Sequence, residues 1–130
     1  MEPQVEIFVA ILLLITGVSH VARPRTWVEF FQMLGAKGDA GVFFIALMHL
    51  PLGALIVAFH NVWSGIAMIV TLIGWGWLIK GALYFTLPRA GAFWLRRLSI
   101  DKLNEFRIGG LVLIGLAGLI AAPLVRHAIG

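Results

Sequence analysis

The chain contains no cysteine, one tyrosine and only six carboxylates in 130 residues, and charged residues make up 12% of it. Without thiols there is no disulfide, no thiol nucleophile, no iron–sulfur ligation and no cysteine-type zinc site. Charge at about half the roughly 25% of an ordinary soluble domain leaves too little polar surface for water to be the solvent of most of the chain. No carboxylate falls in the middle of an apolar run: Glu2, Glu6, Glu29, Asp39, Asp101 and Glu105 all lie near run ends or in connectors. Proton chemistry in the bilayer would therefore fall to histidine, lysine and Tyr84. That scarcity weighs against an enzyme, and no catalytic constellation is legible.

What is present is hydrophobic: 61% of residues, with a mean hydropathy of +0.99. The pattern predicts an all-α polytopic membrane protein, a single transmembrane domain over 1–130 with spans at about 5–22, 40–60, 62–87 and 106–125. Each is close to the roughly 20 residues that match a hydrocarbon core about 30 Å thick, so no room remains for a separate soluble domain. Glu2 and Glu6 precede the first run where a signal peptide would be basic, and no small-residue cleavage site follows, so that run is expected to be retained.

Two connectors carry amphipathic stretches. Trp27, Phe30, Phe31 and Leu34 fall at i, i+3, i+4 and i+7, which predicts an interfacial helix with its aromatic side in lipid. The connector over 89–105 mixes Phe93, Trp94, Leu95 and Leu98 with Arg96 and Arg97, again an interfacial composition. Pro51 is expected to kink the second span, and Asn61 alone to form the turn between the second and third.

The net charge of +4 does not indicate a nucleic-acid partner, because the basic residues sit in short segments between apolar runs. They read instead as topology signals and contacts to anionic lipid. Arg23, Arg25 and Lys37 lie in the first connector and Arg89, Arg96, Arg97, Lys102 and Arg107 in or beside the third, with only Arg126 on the opposite side. The positive-inside rule makes those connectors cytoplasmic and puts both termini outside.

Polar residues inside the spans define the candidate site. Glu6, Thr16, Gly17 and His20 share an arc of the first helix; His49, Gly53, Ile56 and His60 share a stripe of the second; Gly76, Lys80 and Tyr84 share one of the third. Polar groups are costly in lipid, so these arcs should face the bundle interior, and His20, His49, His60, Asn61, Lys80 and Tyr84 are the candidate ligand-binding residues. A lysine at a helix centre costs about 2.5 to 3.5 kcal/mol on insertion scales. Lys80 lies about 10 Å from the cytoplasmic end by helical rise, so it either snorkels to the headgroups or holds an anionic or carbonyl-bearing ligand.

His49 is expected near mid-membrane, where a structural hydrogen bond is the commoner role and a metal or proton relay the rarer one. His20, His49 and His60 fall at three depths, which argues against bis-histidine haem ligation within one chain, though a dimer pairing two His49 rings or a His60–His127 pair stays open. Glu6, His60, Asn61 and His127 could converge on an outer metal, but no His-x-x-x-His spacing supports one, and capping is the simpler account. No metal and no cofactor is expected. Gly115, Gly118 and Ala122, with Ala117 and Ala121, allow another helix to approach the fourth span closely. Trp63, Trp75, Trp77 and Trp94 read as belt or packing residues.

The succession His60-Asn61-Val62-Trp63, Gly74-Trp75, Leu78-Ile79-Lys80-Gly81 and then Pro88 resembles short, uncharacterised multi-pass bacterial membrane proteins. In these, His-Asn-x-Trp opens one span and Gly-Trp followed by Ile-Lys-Gly closes it. The resemblance covers only residues 60–88. It implies a bacterial inner-membrane location and draws attention to His60, Asn61, Trp63 and Lys80, and it carries no activity.

The leading expectation is a non-enzymatic membrane module, a homo-oligomer or accessory subunit of a larger membrane complex in contact with lipid. The second is a binder or carrier of a small lipid-like, quinone-like or anionic ligand in an intramembrane pocket. The third is acid–base catalysis on a hydrophobic substrate.

Overall fold

A computed structural model describes residues 2–98 and 100–130. Among the described residues the chain is an all-α bundle of six helices: α1 (Glu2–Ala22), α2 (Pro24–Ala36), α3 (Asp39–Phe59), α4 (Ala67–Thr86), α5 (Pro88–Leu95) and α6 (Leu103–Ile129), with a 3₁₀ turn at Ile100–Lys102. The long helices α1, α3, α4 and α6 are each apolar enough to cross a membrane, and their exposed surface is dominated by leucine, isoleucine, valine and phenylalanine. This is the composition of a multi-pass membrane protein, because a helix satisfies its own backbone and only its side chains need suit the lipid.

Proline and glycine punctuate the elements where their backbone chemistry demands. Pro24 and Pro88 open α2 and α5 at the first helical turn, where the missing N–H costs nothing. Gly38 and Gly65 adopt φ of +60°, the left-handed region that other residues avoid, and they turn the chain into α3 and α4. Pro51 and Pro123 do not interrupt α3 and α6, which continue as single helices through them.

The turn between α3 and α4 is longer than the sequence indicates. His60 leaves the helix in extended conformation, and helix resumes only at Ala67. The cause is Thr71, whose hydroxyl receives the Val62 N–H at 2.9 Å and donates to the Val62 carbonyl at 2.8 Å. One side chain thus satisfies backbone groups that a continued helix would have paired. Val62, Trp63 and Ile66 are apolar enough to pass for a span while lying in a loop.

The bundle is two tight antiparallel pairs, α1 with α6 and α3 with α4, that meet along a thinner seam. Glycines set both pairs. A Cβ on Gly17 would stand 2.7 Å from the Gly110 carbonyl oxygen, and one on Gly110 would stand 2.6 Å from that of Gly17. In the other pair, Cβ atoms on Gly53 and Gly81 would strike the main chains of Leu78 and Leu50. The partner of α6 is therefore α1 of the same chain, through Gly110 and the buried Ala117, while Gly115 and Gly118 face open space.

Gly76, expected on the inward stripe of α4, is exposed; Gly74 and Gly81 take the packing positions. The two kinds of glycine should behave oppositely. Gly17→Ala is expected to cost about 1 to 3 kcal/mol by forcing main chains apart. Gly76→Ala should be neutral or stabilising by up to about 1 kcal/mol, because it only improves helix propensity. Thermal unfolding in detergent reads both.

Two side-chain clusters hold the pairs together. Val5, Val9, Ala10 and Leu13 of α1, Ile56 of α3, Val70 of α4 and Ala117 and Ile120 of α6 form one, in the half of the bundle that carries both termini. Leu34, Val42, Ile45, Ala46, Tyr84 and Leu95 form the other, at the end of the connecting helices. The cavity described next opens along the seam beside them.

Candidate functional site

Leu12, Leu13, Thr16 and His20 of α1, Trp27, Phe30 and Phe31 of α2, Ile45, Met48, His49 and Leu52 of α3, Trp77 and Lys80 of α4 and Leu113 of α6 enclose a cavity of about 380 Å³. That volume is in the range of small-molecule sites, roughly 300 to 1,000 Å³. Its walls are aromatic and aliphatic, and its polar groups come from three helices.

Lys80 extends its ammonium toward His49, with Nζ 3.5 Å from Nε2, and the same nitrogen stands 5.6 Å from the centre of the Tyr84 ring. The side chain is turned into the bundle, toward α3. His49 Nδ1 donates to the Ile45 carbonyl at 2.8 Å, one turn back on its own helix. A carbonyl can only accept, so the hydrogen is on Nδ1 and Nε2 of the neutral ring is the acceptor that Lys80 meets. The edge of the His49 ring also packs at 90° against Trp77, with centroids 6.0 Å apart.

His20 is held the same way. Its Nδ1 donates to the Thr16 carbonyl at 2.7 Å, and its ring is stacked between Trp27, at 4.2 Å and 24°, and Phe106, at 5.5 Å. Trp27 is itself fixed by its Nε1–H donating to Ser19 Oγ at 2.9 Å. His20 Nε2 thus remains an acceptor with no partner among the described residues. No carboxylate among them lines the cavity, and among the described residues Lys80 forms no ion pair. The site therefore offers one cation with hydrogen-bond donors to spare and one imidazole acceptor, inside an apolar shell.

Of the six candidate residues, His20, His49 and Lys80 meet at this cavity. Tyr84 is buried in the adjoining cluster and touches the site only through its ring and Lys80. His60 and Asn61 are elsewhere, at the end of the bundle that carries the termini. His20 and His49, placed at different depths by helical rise alone, line one cavity because it extends along the seam.

The aromatic residues of α2 correct an expectation. Trp27, Phe30 and Phe31 are half-buried rather than turned wholly outward; they fold over the cavity and onto the neighbouring cluster, because Ser19, His20 and the α3 wall give them partners. Met48 and Trp77 also belong to the wall, and nothing in sequence distinguished Trp77 from the exposed Trp63 and Trp94.

At the other end, His60 is 1% exposed and bonded on both ring nitrogens, to Thr71 Oγ1 at 3.0 Å and to Glu6 Oε1 at 3.2 Å. Asn61 donates to the Val57 carbonyl and accepts from Trp75 Nε1 at 3.1 Å, while His127 is exposed. The four-residue outer convergence is thus a two-residue pair, and no group of three potential ligands that could hold a metal occurs among the described residues. Compared with known protein families, curated proteins and solved structures, the chain matches none.

Proposed function

We propose that this chain is a membrane-embedded binder or carrier of a small amphipathic molecule, lipid-like or quinone-like, whose oxygen-bearing head accepts from Lys80. The observation that carries the reading is the convergence of His20, His49 and Lys80 on one apolar, aromatic-walled cavity without a counter-carboxylate. A cation in such surroundings is best stabilised by an anionic or carbonyl oxygen that arrives with a ligand. The apolar body of that ligand would lie against Trp27, Phe31 and Trp77. The reading requires no catalytic step and no resident cofactor.

The setting proposed for it is a bacterial cytoplasmic membrane, with both termini on the periplasmic side, because the basic residues cluster in the two connectors at the opposite face. Reporter fusions at the two ends test that orientation, and ends on opposite faces would contradict it. For the binding itself, the detergent-purified protein is examined by visible absorption and by mass spectrometry of what co-purifies. The expected result is a retained lipid or quinone in near-stoichiometric amount. A preparation that carries none, and that is not stabilised by added fatty acid or short-chain quinone, would refute the reading.

A second reading, a homo-oligomer or accessory subunit, draws on the open face of α6. Gly115 and Gly118 meet nothing there, and an apolar groove of about 510 Å³ runs between α1 and α6 past Ala10, Ala117, Gly118 and Ala121. Helices in lipid associate through such small-residue faces. Gly118→Leu would lower the mass of the detergent-solubilised particle if that face is an interface, and would leave it unchanged if lipid covers it.

A further inference from the structure

Counting hydrogens around His60 locates a proton. Thr71 Oγ1 has one hydrogen and two lone pairs. It donates to the Val62 carbonyl and accepts from the Val62 N–H. Its remaining contact, His60 Nδ1 at 3.0 Å, is therefore an N–H donating to the second lone pair. With Nδ1 protonated, a neutral His60 ring presents a bare lone pair at Nε2, and that atom lies 3.2 Å from Glu6 Oε1. A carboxylate facing a lone pair repels it, so the contact requires a hydrogen between the two atoms. It is either on nitrogen, as imidazolium against carboxylate, or on oxygen, as carboxyl against imidazole. Both arrangements hold one proton and no net charge.

The pair sits where a proton would have mechanical consequence. Glu6 belongs to the α1–α6 pair and His60 to the α3–α4 pair. Their contact is the side-chain hydrogen bond among the described residues that ties one pair to the other. The His60 side chain is wholly buried and that of Glu6 is 15% exposed, so exchange with water runs through the carboxyl. The other ionisable groups at this end are Glu2 on α1 and Arg126 and His127 in the last turn of α6. All three are exposed, and none pairs with Glu6 or His60 among the described residues. From α3 and α4 the pair is faced by Thr71 and no second ionisable group; the next on α4 is Lys80, at the cavity.

We propose that Glu6 and His60 form a proton-binding site that latches the two helix pairs together at the end of the bundle carrying both termini. The latch is closed while the proton is shared and released when it is lost. A second proton leaves Nε2–H donating to a carboxyl oxygen, so the bridge survives acidification. With the Thr71 hydroxyl held on the Val62 carbonyl and the ring hydrogen therefore on Nδ1, loss of the shared proton sets a carboxylate against a lone pair, so the bridge fails on the alkaline side. The inference does not depend on what the cavity binds.

The absence of native cysteine makes the test direct. Spin labels on Gln4→Cys and Ser64→Cys, both exposed, report the separation of α1 from the α3–α4 turn by pulsed electron resonance. In the otherwise unaltered protein the distance should be short and narrow on the acid side and longer and broader on the alkaline side, once the shared proton is removed. Glu6→Gln keeps the bridge without a titrating proton, because its amide N–H donates to Nε2, and should hold the short distance on both sides. A distance that does not change with pH in the parent, or that changes equally in Glu6→Gln, overturns the proposal. Histidine ¹⁵N NMR on the unlabelled chain gives an independent reading: His60 Nδ1 should be protonated throughout, and an unprotonated Nδ1 refutes the hydrogen count on which the latch rests.

Discussion

Replacing Lys80 by methionine should weaken retention of an amphipathic ligand by about ten- to hundredfold while leaving the bundle assembled. The magnitude follows from the loss of a hydrogen bond from a charged donor, worth about 1.5 to 3 kcal/mol, with each 1.4 kcal/mol a factor of ten. Assembly should persist because Lys80 ties nothing else in place. Its contacts are the long one to His49 and the ring of Tyr84, and an uncharged side chain of similar length is easier to insert in lipid. Ile79→Met, one residue away and 61% exposed, is the control, and should leave retention unchanged. Native mass spectrometry with a fatty acid and with a short-chain quinone as probes would measure both variants. Equal retention by Lys80→Met and the parent would remove the lysine from the site.

The second large effect is expected at Gly81. Its hydrogen faces the Leu50 main chain, and a Cβ there would stand 2.6 Å from the Leu50 nitrogen. Gly81→Val should therefore destabilise the protein by about 3 kcal/mol, the upper part of the range for overpacking, because main chain yields less readily than side chain. The functional consequence is local. Gly81 follows Lys80 and Leu50 follows His49, so the close approach of α3 and α4 at this level also sets the 3.5 Å between Nζ and Nε2. Pushing the helices apart should lower ligand retention as well as the unfolding midpoint. A variant that lost stability and kept full retention would show that the His49–Lys80 spacing is immaterial to the site.

The all-α class and the four long apolar helices were legible because lipid imposes a simple rule on composition. The orientation of α2 was not. The spacing of Trp27, Phe30 and Phe31 identifies an apolar face, and an apolar face is equally suited to acyl chains and to the wall of a cavity. Only the position of Ser19 and His20 beneath it decides. The loop over 60–66 was hidden for a related reason, since Val62, Trp63 and Ile66 look like span residues and the group that ends the helix, the Thr71 hydroxyl, lies several residues further on. Residues of the site were legible singly, as polar positions that lipid penalises. Their grouping was not, because counting helical rise places His20 and His49 at separate levels and takes no account of a cavity elongated along the seam. The pairing of Glu6 with His60 had a faint signal, both standing near the same end of the bundle, but no local spacing joins them.

The central claim is that His20, His49 and Lys80 turn inward onto one cavity and that this cavity holds a ligand. It is tested most directly by photolabelling in membranes with a diazirine-bearing fatty acid, followed by mapping of the modified residues. Labels are expected on Met48, Trp77 and Trp27, and are expected to fall away in Lys80→Met. Labels scattered along outward positions such as Ile79 and Leu111, with no response to that substitution, would contradict it.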